Sequence, residues 1–239
     1  MPNPFTLSRH GRSLLAGLSL LSLALPGLAS AQINAAHEQD YLAALQRVSQ
    51  AETRIATAME QVQSGQVAHY DFLQQEHIEL LRHARALAWP PGALEQSQKT
   101  ALTDAAGSLL SAADSLEWVI ADFLRALAQV RGAASNTLDI AAQSQQGASS
   151  ALSATLESLQ LQTLLFMASG YREDWSVLSG AFDAVLSADL SAQTKQELLF
   201  QKERLALYAP QLQEQQQALL DSDVDLRAAS LLALYPAAN

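Results

Sequence analysis

From Tyr41 to Leu234, apolar side chains recur three and four residues apart, and very little interrupts them. Beyond residue 31 the chain holds only four prolines (Pro90, Pro91, Pro210 and Pro236) and seven glycines, among abundant Ala, Leu, Gln, Glu and Ser. Such summed helix propensity with so few breakers predicts long helices, and no alternating run of β-branched or aromatic residues argues for a strand. Burying the resulting stripes against one another predicts an all-α chain, an elongated antiparallel helical bundle of about five to six helices with coiled-coil-like seams.

The first 31 residues read differently. Arg9 and Arg12 precede an apolar run over 14–25, Pro26-Gly27 break it, and Ala29-Ser30-Ala31 offers a small-x-small cleavage site. This is the pattern of a cleaved signal peptide over 1–31, and a run so short does not span a bilayer, which needs about 20 residues. The expectation is export to the periplasm of a Gram-negative bacterium, leaving a helical domain over 32–239. Within it, 32–89 forms an N-terminal hairpin and 93–239 the longer helices. No later stretch offers 18 consecutive apolar residues, so no stable membrane insertion is expected. Two of the 14 Lys and Arg lie in the leader, so 12 basic residues face 24 acidic ones afterwards, a formal charge of −12. Nucleic acid and anionic headgroups bind through clustered Lys and Arg, which argues against both as partners. With no cysteine, thiol chemistry and disulfides are excluded and stability rests on packing.

The longer helices are predicted over about 35–64, 67–88, 93–131, 135–169 and 191–220, with short ones over about 172–186 and 224–234. In the first, Tyr41, Leu45, Val48, Ile55, Met59 and Val62 form a heptad seam that Glu52 interrupts. The second is ended by Trp89-Pro90-Pro91-Gly92. Gly132 is read as a C-cap or kink, Ser191 as an N-cap, and a bend is expected near Ala209-Pro210.

Candidate sites are few. His77 projects from the apolar side of the second helix, and Glu52 and His77 each lie about three turns from Gly65, so the hairpin could hold them as a buried polar pair. Metal chelation is not expected: no two of His37, His69, His77 and His83 stand four apart, and Glu79 with His83 is an ordinary helix pair. Asp221, Asp223 and Asp225 resemble the start of a calcium loop, but Leu226 and Leu232 stand where glycine and a closing Glu are needed. Ser222 or Asp223 then caps the last helix, with Asp225 in its first turn. No nucleophile elbow, P-loop or dinucleotide fingerprint is present, so neither a catalytic residue nor a cofactor is expected.

The 40 residues from Gly132 to Tyr171 carry two charges, Asp139 and Glu157. Leu138, Gln145, Leu152, Leu159 and Phe166 recur there at seven-residue spacing, marking either a central helix or a partner-facing one.

A cleaved leader followed by long antiparallel helices resembles periplasmic sensory bundles such as chemoreceptor ligand-binding domains. His69-Tyr70-Asp71-Phe72-Leu73 and the helix after it look like small exported proteins encoded with conjugation systems, over about 20 residues. Neither likeness carries a residue role across. The function expected is non-enzymatic: an accessory, adaptor or scaffold of an envelope assembly, contacting another envelope protein or itself. The alternative is a small-molecule-binding or sensory bundle, its ligand near His77 and Tyr70, Phe72, Trp89 or Trp118.

Overall fold

A computed structural model describes residues 34–66, 70–172 and 174–235. The expected leader lies outside these residues. All regular structure among them is helical: a stretch over 34–48 (α1) and seven further helices. These are α2 (Ala51–Gln63), α3 (Asp71–Ala86), α4 (Gln96–Ser144), α5 (Ser150–Ala168), α6 (Trp175–Ser187), α7 (Ala192–Leu220) and α8 (Val224–Leu234). No described helix is long and apolar enough to cross a membrane.

The seam expected in the first helix is buried: Tyr41, Leu45, Val48, Ile55, Met59 and Val62 all lie in the core. The helix is nonetheless interrupted by a turn at residues 49–50, which divides α1 from α2. Arg54 serves that break by donating from Nη2 to the Arg47 carbonyl at 3.0 Å. Pro90 and Pro91 end the α3 region as expected, and α4 opens on a capping box in which the Glu95 N–H donates to Gln98 Oε1 at 3.2 Å.

Gly132 neither caps nor breaks a helix. α4 runs straight through it for 49 residues, with Val130, Ala133 and Ala134 fully buried around it. Burial on both sides outweighs the modest helix penalty of one glycine. The break falls instead at 145–149, where Gly147 has φ +85°. Between Ala141 and Leu156 no residue is fully buried, so nothing rewards continuing the helix. The strict heptad from Leu138 to Phe166 is therefore divided: Leu138 is on α4, Gln145 caps its end, and the others are on α5.

α4 is the element around which the others gather, packing against α3, α5, α7 and α8. Arg204 of α7 reaches Gln129, while Ala218 to Asp223 lie beside Ser108 to Ser115, so α7 runs back along α4. Ser191 caps α7 through its hydroxyl, which accepts the Thr194 N–H at 3.1 Å, and Pro210 lies inside that helix. At the far end, Tyr235 stacks on Tyr41 with centroids 5.5 Å apart and donates its hydroxyl to Glu38 Oε1 at 3.1 Å. Burial first, then the charge or polarity of these neighbours, pushes both phenols up to about 12.

These two glycines separate by substitution. A Cβ on Gly132 would meet Arg204 Nη2 at an ordinary 3.6 Å, so Gly132→Ala is expected to stabilise by about 0.5–1 kcal/mol. Gly147→Ala forces a side chain into the left-handed region and is expected to destabilise by about 1 kcal/mol. Urea midpoints of the two variants check both signs.

Candidate functional site

Two helix ends meet at a cluster of polar side chains. α2 closes on left-handed Gly65 (φ +76°), whose N–H donates to the Val62 carbonyl at 3.2 Å, while the Gln66 N–H reaches the Gln61 carbonyl at 3.0 Å. α5 closes the same way on Gly170 (φ +66°), with its N–H on Met167 and the Tyr171 N–H on Phe166 at 2.8 Å. The apolar contact that accompanies such an end is present as well: the Phe166 and Tyr171 rings meet edge to face, 5.6 Å apart. Tyr171 itself holds φ +63°. A bulky residue in that region costs on the order of 1–3 kcal/mol and persists only where its surroundings enforce it.

Gln63 joins these ends. It is buried at the last turn of α2, donates from Nε2 to the Gly170 carbonyl, and accepts at Oε1 from Gln216 Nε2 of α7 at 2.7 Å. One amide thereby ties three helices. Arg131 of α4 adds a second tie, donating to the Val62 carbonyl and to the Tyr70 hydroxyl at 3.0 Å, with its guanidinium 5.7 Å over the Tyr70 ring. Burial raises the Tyr171 phenol, and the neighbouring Arg131, through its charge and a hydrogen bond, partly offsets that rise.

Three clefts open around this junction. One, between α2 and the α5 end, is bordered by Glu60, Gln61, Ser64, Gly170 and Arg172, with Arg172 Nη2 held 3.0 Å from Glu60 Oε1. A second is bordered by Gly65, Arg131, Ser135, Leu164 and Tyr171. The third lies between Tyr171 and the Pro210 region of α7. Amides, hydroxyls, guanidinium groups and aromatic rings line them, groups suited to hydrogen bonding and stacking.

Glu52 and His77 are not brought together. Their level in the hairpin is occupied by Arg54 and Glu76, paired at 2.9 Å, so the register of α2 on α3 is close to that expected while the facing differs. His77 points to α4: its ring, 7 % exposed, donates from Nε2 to the Ala113 carbonyl at 2.9 Å. The cleft beside it is bordered by Gln74, Ile78, Leu81, Glu117, Ile120 and Ala121, and Tyr70, Phe72, Trp89 and Trp118 lie outside it.

Glu52 turns instead to α8. Its Oε2 accepts the Asp225 N–H at 3.2 Å, and Asp225 Oδ1 accepts the Glu52 N–H at 3.3 Å. Each acid sits in the first turn of its own helix and satisfies an open N–H of the other, a reciprocal use of two helix N-termini. Asp223, at the head of α8, is left-handed (φ +60°) and gives no side-chain cap. Burial raises both carboxyls above their usual range. The hydrogen bond from the opposite backbone opposes this in each case, and at Glu52 the nearby Asp225 and Asp223 charges add to the rise.

Of the charge-poor heptad, Leu159 is fully buried, Leu138, Gln145 and Leu152 are half-buried, and Gln145 donates to Gln160 Oε1 at 3.2 Å. The outward side of α5 is made by Leu161, Leu164 and Leu165. Glu79 and His83 do approach, at 3.5 Å, with Arg82 engaging Glu79. Among the described residues no group of three or more His, Asp and Glu is placed to hold a metal ion. Gln63, Arg131 and Tyr171 were not singled out from sequence. A legible hint was Phe166 and Tyr171 flanking Gly170, the spacing of an apolar pair across a helix end.

Comparisons with protein-family models, with curated proteins and with solved structures gave no match.

Two measurements probe these ties. Gln63→Leu strands the Gly170 carbonyl and the Gln216 amide, and is expected to cost about 1–3 kcal/mol in urea unfolding. Glu52 and Asp225 bind protons more tightly folded than unfolded, so their contribution is full below the ordinary carboxylate range and declines as pH rises through their folded values. Combined Glu52→Gln and Asp225→Asn removes that decline. The variant should gain stability relative to wild type as pH rises above the ordinary carboxylate range, read from urea midpoints at each pH.

Proposed function

We propose that this chain is an exported, non-enzymatic protein of the Gram-negative periplasm, an elongated antiparallel helical bundle that acts through protein–protein contacts. In this reading it is an accessory, adaptor or scaffold of an envelope assembly, and it meets either another envelope protein or a second copy of itself. The observation that carries the reading is the outward side of α5. Leu161, Leu164 and Leu165 are 55 %, 51 % and 41 % exposed on a helix whose single charge is Glu157. Exposed leucines are ordinary when scattered, but three within five residues on a charge-poor helix form the kind of patch that contact cores use.

This moves the contact face from the residues expected. Leu159 belongs to the core, whereas the leucines beside it on α5 face outward. The clefts at the Gln63 junction support the same reading, since their amides and guanidinium groups suit the polar surround of an apolar contact.

Crosslinking the tagged protein in intact periplasm tests it. Wild type is expected to give a discrete higher-mass adduct, and Leu161→Glu with Leu164→Glu to abolish it. Both sites being exposed, each substitution should change folding stability by no more than about 0.5 kcal/mol. A wild-type protein that stays uncrosslinked and monomeric overturns the proposal.

A further inference from the structure

The cleft beside Pro210 differs from the other two in its walls. Phe166, Tyr171 and Trp175 supply three aromatic rings from α5, its closing turn and the start of α6. Leu205, Ala209 and Pro210 of α7 form the opposite side. The rings already sit in tilted and edge-to-face relations, Phe166 to Tyr171 at 5.6 Å and 71°, and Phe166 to Trp175 at 6.1 Å and 58°. We propose that this cleft binds one uncharged aromatic ring, carried by a small molecule of phenol or indole size.

The size of the space sets the first limit. The cleft measures about 240 Å³. An apolar cavity of roughly 150 Å³ accepts benzene, whereas sites for larger organic ligands run from about 300 Å³ upward. One ring or a fused pair fills this space.

The chemistry sets the second. No Asp, Glu, Lys or Arg borders the cleft, so a charged ligand would lose its hydration with nothing to replace it. Gln213 brings a side-chain amide able to meet one phenol O–H or indole N–H. A ring entering between Trp175 and Pro210 extends an edge-to-face cluster that Phe166 and Tyr171 have begun, the arrangement aromatic quadrupoles favour.

The backbone sets the third. Tyr171 is kept in the left-handed region on this wall, directly after Gly170, and the Gln63–Gly170 hydrogen bond anchors the turn that presents it. Strain of this kind gathers at ligand-holding positions. Across from it, Pro210 lacks the N–H that would continue the α7 ladder and offers a flat apolar ring instead.

The site uses none of Leu161, Leu164 or Leu165, and so stands or falls separately from the contact face. Titration of the protein with indole, and separately with phenol, is followed by saturation-transfer NMR of the ligand protons and by the rise in melting temperature. Saturable binding is expected, weakened at least ~10-fold by Ala209→Leu, which enlarges a side chain on the α7 side of the space. The charged analogue 4-hydroxybenzoate should also bind at least ~10-fold more weakly than phenol. Should Ala209→Leu lower the folded fraction, Trp175→Ala, which removes one wall, must show the same loss. Absence of saturable binding by either probe, undiminished binding in folded Ala209→Leu, or equal affinity for the charged analogue overturns the proposal. Crosslinking of wild type and Ala209→Leu in parallel keeps the two readings apart, because the adduct is expected in both.

Discussion

The fold depends on burying one very long helix from several sides. α4 meets α3, α5, α7 and α8, and its inward positions mix large residues with alanine: Leu102, Ala106, Leu109, Ala113, Leu116, Ile120, Phe123, Ala126. Small residues let neighbouring backbones approach, and the larger ones fill the spaces between, so packing density is reached without bulky polar side chains. That constraint explains why Gly132 is absorbed into a helix it would otherwise interrupt, and why the chain breaks where burial lapses.

Polar interactions take the places that packing leaves open, and most of those are helix ends. Glu52 and Asp225 cover each other's free N–H groups, Arg54 covers a carbonyl at the end of α1, Arg131 one near the end of α2, and Gln63 the Gly170 carbonyl beyond α5. Each of these backbone groups is met by a side chain from a different helix. Helix closure and tertiary assembly are thus the same event at these points. Local turn chemistry also decides where aromatic rings gather, since the Gly170 turn is what places Tyr171 against Phe166.

The helical class, the buried seam of Tyr41 to Val62, the Pro90-Pro91 stop and the Ser191 cap were all legible in the sequence, because each rests on local periodicity or on one residue's own geometry. The breaks at 49–50 and 145–149 were not. The second depends on what is absent from the far side of the helix, and a heptad count from Leu138 to Phe166 runs across it without registering it; the first falls between buried Val48 and Ala51, where the apolar spacing carries no sign of a turn. Glu52 and His77 show the same limit: their height in the hairpin could be counted from Gly65, but their facing is set by α8 and α4, which lie far away in sequence. The Gln63 junction was hidden for the same reason, since its partners at Gly170 and Gln216 stand 107 and 153 residues away.

The stacked pair Tyr41 and Tyr235, with Glu38 beneath the second hydroxyl, has a mechanical meaning. The Tyr235–Glu38 hydrogen bond joins residues 197 apart in sequence, and with the ring pair it binds the first described helix to the end of the last. Traction on either end of the described residues then passes to the other across this ring contact, its Tyr235–Glu38 hydrogen bond and the nearby Glu52–Asp225 pair, without first travelling through the helices between. A pull on the two ends of the described residues therefore loads these contacts before the helices between them.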